Sequence, residues 1–171
     1  MQTVSSSNFG YLIAYLIPGW LVLQALALSS FGIVDGVSFA SSTTIAGLLS
    51  SSLAALFWGM VASAIRWLVI DRVHSWTGIK PASWDFDRLS KNLDAYHALV
   101  AYQYQYYQFY ANSIVAGWIA YLILIASGAK LGWVGHLAFV VVIGVFWGAS
   151  RDTLSKYYRR LDEILAPKSM R

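Results

Sequence analysis

Residues Thr43–Ile65 read TTIAGLLSSSLAALFWGMVASAI, with no charged side chain anywhere in the run. An α-helix rises 1.5 Å per residue, so about 20 such residues cross the roughly 30 Å hydrocarbon layer of a bilayer. Outward from this run the same property recurs. No Lys, Arg, Asp or Glu occurs from Met1 to Val34, and Asp35 is the single charge before Arg66. Ala95–Ala129 and Leu131–Ser150 are charge-free as well. The whole chain is 58% hydrophobic and 12% charged, where a soluble domain carries about 25% charged residues. The shortfall is gathered into stretches of membrane-crossing length. The expected fold class is all-α: a polytopic membrane protein forming one four-helix transmembrane domain over residues 1–171, with spans at about 9–31, 43–65, 112–129 and 131–150.

Punctuation between the runs supports that division. Pro18-Gly19 should bend the first span, since proline removes a backbone donor. A short turn, Gly32–Ser42, holds Asp35. Residues 66–111 form the long segment between spans two and three, punctuated by Gly78 and Pro81. Asp85 and Asp87 suit the start of a new helix. From there the helical pattern runs to Ser127, about 60 Å at helical rise and twice the hydrocarbon thickness. Its first part should therefore stand outside the membrane or break at the interface. Gly128–Gly132 reads as a tight turn, and a basic tail, 151–171, closes the chain. No basic residue precedes the first apolar run, so a cleaved signal peptide is not expected.

Charge placement gives an orientation. Of twelve Lys and Arg residues, five lie in Arg66–Lys91 and six in the tail, leaving Lys130 alone on the other side. Cytoplasmic loops hold the excess of positive charge. Both termini and residues 66–111 are thus expected in the cytoplasm, and the chain in a bacterial inner membrane.

Two helix faces stand out. Gly47, Ser51, Ala55, Gly59 and Ser63 recur every four residues on span two, joined by Gly144 and Gly148 on span four. Small residues at this spacing let backbones approach closely where lipid offers no hydrophobic gain. The face could pack within one protomer, join subunits into a homo-oligomer, or present Ser hydroxyls to a pore. Elsewhere, Leu89, Leu93, Tyr96, Val100, Gln103, Tyr107 and Tyr110 are spaced as a heptad seam with one polar member. His97, Ala101, Gln105, Gln108 and Asn112 form a second stripe. The Tyr-rich stretch reads either as an aromatic belt at the membrane interface or as a cytoplasmic stalk. Leu154, Tyr157, Leu161 and Ile164 continue the theme in the tail, which could extend span four or lie on the inner leaflet. Tyr96, Gln103, Tyr107 and Tyr110, with Arg159 and Arg160, are the candidate face for a cytoplasmic partner. Phe57-Trp-Gly59 recurs as Phe146-Trp-Gly148, too short a repeat to mark a duplication.

Catalytic readings find little support. The chain has no cysteine, which excludes disulfide and thiolate chemistry. Asp85-Phe-Asp87 has metal-pair spacing, but helix capping explains it better. Asp71 and His74 share a helical face that reads as solvated surface. Arg66, near an inner helix end, can snorkel to water. His74, His97 and His136 lack metal-ligand spacing. No enzyme activity, catalytic residue, metal or cofactor is expected, and no nucleic acid, because the aromatics interleave with Gln rather than Arg or Lys. The expected function is a homo-oligomeric membrane sensor, anchor or effector subunit working with a soluble cytoplasmic protein. The alternative is a small ion channel or transporter subunit lined by the Ser-bearing face of span two.

Overall fold

Long charge-free runs become long helices. The computed structural model describes residues 6–29, 45–80 and 85–165. These form α1 (Ser6–Leu28), α2 (Ile45–Trp76), α3 (Phe86–Lys91), α4 (Leu93–Leu99), a π-helical turn (Val100–Tyr104), α5 (Gln105–Ala126) and α6 (Trp133–Leu165). Among the described residues there is no strand. Three helices are long and apolar enough to cross a membrane: Ile45–Trp76, the continuous Leu93–Ala126 and Trp133–Leu165. These mark the chain as a helical membrane protein. Leu12–Leu28 in α1 is apolar but shorter. The expected turn around Asp35, the end of the first span at Phe31, Pro81 and the tail beyond Leu165 lie outside the described residues.

The helices alternate in direction. α1 and α2 are antiparallel, since Gly19 lies against the Ala55 backbone and Gly59 against that of Tyr15. A methyl group at either glycine would collide with main chain, so these two positions let the helices approach to backbone contact. α1 and α5 run parallel, with Gly10 beside Gln105 and Ala14 beside Asn112. α5 and α6 are antiparallel: Tyr121 meets His136, Tyr110 meets Phe146 and Tyr104 meets Tyr157. α6 leans on α5 along its length, and its outer face, including Leu137, Val141 and Val145, is exposed.

Local chemistry sets the breaks. α2 and α5 end at Gly78 (φ 97°) and Gly128 (φ 80°), left-handed positions that glycine adopts without strain. The next residue's N–H in each case reaches back five residues, Ile79 to His74 and Ala129 to Leu124. Asp85 caps α3: its side chain accepts from the Arg88 N–H, and its other carboxylate oxygen pairs with Arg88 Nε at 2.9 Å. The Asp85-Phe-Asp87 pattern is therefore a helix start. α6 does not stop at the membrane boundary. It continues without interruption to Leu165, burying Leu154, Tyr157 and Leu161. As far as Leu165 the tail continues the helix of the fourth apolar run and packs against the Tyr-rich segment.

Candidate functional site

The polar side chains that the core does bury gather where α2, α5 and α6 converge, at the charged end of the bundle. Arg66 is only 5% exposed. Its Nη1 lies 3.5 Å from Asp71 Oδ1, longer than a hydrogen bond, and its guanidinium stands 5.3 Å from the centre of the Tyr107 ring. Tyr104 also interacts with it. Tyr107, 1% exposed, donates its hydroxyl to Asp71. One carboxylate thus serves a cation and a phenol. Taking a charged pair out of water carries a desolvation cost that only close partners offset. Even so, Arg66 Nε and Nη1 have no hydrogen-bond partner among the described residues. Arg66 does not snorkel as its sequence position suggests: α5 covers it before it can reach water.

His74 completes the junction. It is fully buried, with Nε2 3.0 Å from Ser150 Oγ and its ring 4.7 Å from that of Trp147. The expectation that Asp71 and His74 form a solvated surface is thereby corrected. Both sit on the side of α2 that α5 and α6 cover. Arg151, next to Ser150, donates to the hydroxyl and carbonyl of Thr77, satisfying the open end of α2. These contacts tie α6 to α2 at this end.

A second polar line follows α5 toward the middle of the bundle. Gln108 Nε2 lies 3.4 Å from the Tyr15 hydroxyl, and Asn112 Nδ2 donates to the Ala14 carbonyl at 2.9 Å. The Asn112 bond has a definite cause. Pro18 has no N–H, so the carbonyl four residues earlier, that of Ala14, loses its helical donor. Asn112 supplies the replacement from another helix.

The small-residue face of α2 divides. Ser51, Ala55 and Gly59 are buried, while Gly47 and Ser63 are half-buried. Ala55 and Gly59 are covered by α1, and the Ser51 hydroxyl bonds to the Gly47 and Leu48 carbonyls of its own helix. Gly144 and Gly148 belong to a different surface. A methyl group at either would meet nothing, so the two Phe-Trp-Gly strings have opposite environments. The candidate partner face also separates. Gln103 and Tyr107 point inward and Tyr96 and Tyr110 are half-buried, whereas Arg159 and Arg160 are exposed. Tyr96 hydrogen-bonds to Tyr157 across from α4 to α6.

The charge pattern carried no signal for the buried junction, because one Arg beside an apolar run resembles any span boundary. The spacing of Arg66, Ile70 and His74 with Ala55, Gly59 and Ala62 on one α2 face could have revealed it. Among the described residues, no group of three His, Asp or Glu side chains is placed to hold a metal ion. Comparison with protein families, curated proteins and solved structures finds no match.

Proposed function

We propose that this chain is a four-span, homo-oligomeric inner-membrane protein that serves as an anchor, sensor or effector subunit for a soluble cytoplasmic partner. The observation that carries the proposal is the helical platform at the charged end. α2 and α6, with 32 and 33 residues, are about 48 and 50 Å long, against roughly 30 Å of hydrocarbon. The surplus length lies on the side that holds nearly all Lys and Arg, which favours the cytoplasm. There α3 and α4 pack against the end of α6, and Arg88 donates to the terminal Leu165 carbonyl at 2.8 Å. A groove of about 460 Å³ opens between α4 and α6, lined by Ala98, Tyr102, Gln103, Arg160 and Glu163 among others. It offers a partner a rigid, mixed-polarity docking place. α1, parallel to α5, supplies the remaining span and an inside N-terminus.

Self-association is assigned to α6. Gly144-Val-Phe-Trp-Gly148 has the spacing of a close-packing helix dimer and faces open space in the protomer. A pore along the Ser-bearing face of α2 finds no support, since α1 covers Ala55 and Gly59.

Site-specific photo-crosslinking in native membranes tests the partner. A crosslinker at Tyr102 or Arg160 should yield one discrete protein adduct, and the same group at lipid-facing Val141 should not. Adducts equally frequent at all three positions, or absent from both platform positions, would refute the assignment.

A further inference from the structure

A groove of about 570 Å³ runs along the outer surface where α2 passes α1, lined by Tyr15, Leu56, Met60, Ser63, Ala64, Arg66 and Trp67. Leu56 to Trp67 spans about 16 Å of helix. The walls are mainly apolar, with Leu56, Met60 and Ala64 as their aliphatic part, and Met60 and Trp67 are strongly exposed, at 59% and 64%. At one end stands Arg66, the first charged residue after the apolar run of α2. Its ion pair with Asp71 is long, at 3.5 Å, and among the described residues its Nε and Nη1 have no hydrogen-bond partner. Orphaned donors on a buried cation are costly, so this end of the groove favours an anion.

We propose that this groove binds an anionic glycerophospholipid, its phosphate taken by Arg66 and an acyl chain laid along Leu56 and Met60. The inference rests on α2 spanning the membrane, which places Arg66 at the depth of the phosphate layer. Two observations converge on this occupant. The aliphatic wall is of acyl-chain character and length, which a free phosphate would leave unused. The same lining carries the Tyr15 and Ser63 hydroxyls beside the Arg66 guanidinium as polar groups.

The test uses the full chain in nanodiscs of mixed phosphatidylglycerol and phosphatidylcholine, followed by native mass spectrometry of retained lipid. Wild type should retain phosphatidylglycerol in preference to phosphatidylcholine, and inorganic phosphate should not displace it. Arg66→Gln should abolish the preference. Because that change could unfold the junction, Ser63→Leu provides an independent arm: it fills the groove and leaves Arg66 in place, and it too should lose the lipid. Arg72→Gln removes an exposed cation from the same helix and should retain it. Retention by Ser63→Leu, equal loss in Arg72→Gln, or displacement by inorganic phosphate would each overturn the proposal. Failure of the wild-type chain to enter nanodiscs would overturn the membrane reading together with it, whereas entry without lipid preference would overturn the lipid site alone.

Discussion

Pro18 and Asn112 sit far apart in the chain and act on one carbonyl. Proline withdraws the helical donor from Ala14, and the Asn112 amide restores it at 2.9 Å from another helix. Asn112→Leu should therefore leave a buried carbonyl unpaired and lower stability by about 1 kcal/mol, in the range of interhelical hydrogen bonds in membranes. In a Pro18→Ala background the carbonyl regains its own N–H, and Asn112→Leu should then have little effect. A double-mutant cycle read by thermal melting in detergent checks this coupling, and additive losses would show that the bond is immaterial. Little of this was legible in the sequence. Pro18 announced a bend and Asn112 fell on a polar stripe, but nothing in either position says which carbonyl the other completes. Arg66 and His74 were misread for a related reason. Each looks like a boundary residue by its neighbours in the chain, and each is buried by residues about forty or more positions away, Tyr107 and Ser150.

At the scale of elements, periodicity performed well where one helix packs on another. Leu154, Tyr157, Leu161 and Ile164 face α3, α4 and the π-turn as their 3-4-3 spacing implies, and the α2 face with Ala55 and Gly59 meets α1. Periodicity could not tell an interface inside the protomer from one between protomers, since both need the same small residues. The structure separates the two glycine pairs, and their variants should behave differently. Gly59→Leu should drive α1 from α2, because its side chain would enter the Tyr15 backbone, and the yield of folded monomer should collapse. Gly148→Leu should leave the melting temperature unchanged and shift the oligomer toward monomer in mild detergent. Size-exclusion chromatography with light scattering distinguishes these results; a Gly148→Leu protein that remains fully oligomeric would remove α6 from the interface. The π-turn places Gln103 at the edge of the groove between α4 and α6 with most of its side chain turned inward. It lies inside that turn at 8% exposure, and its Oε1 has no hydrogen-bond partner among the described residues.

For the whole molecule, the proposed topology makes the alternating helix directions and the clustering of Lys and Arg testable together. Reporters inserted at Lys80 and Arg160 should both signal cytoplasm, and one at Lys130 should signal the opposite side. An opposite result at Lys80 would invert the assignment of sides and relocate the platform. The helical class and the division into apolar runs were open to reading because hydrocarbon admits so few solutions for a polar backbone. α6 has a consequence for mechanics. It is one unbroken rod about 50 Å long, supported on α5 by rings such as the stacked Tyr121–Phe139 pair near one end and Tyr104–Tyr157 near the other. A tilt of about 5° about the first support would carry the Leu165 tip roughly 3 Å sideways over the roughly 39 Å between them. α6 is thus built as a single stiff shaft, in which a displacement imposed at one end would reach the other with no residue along it changing its conformation.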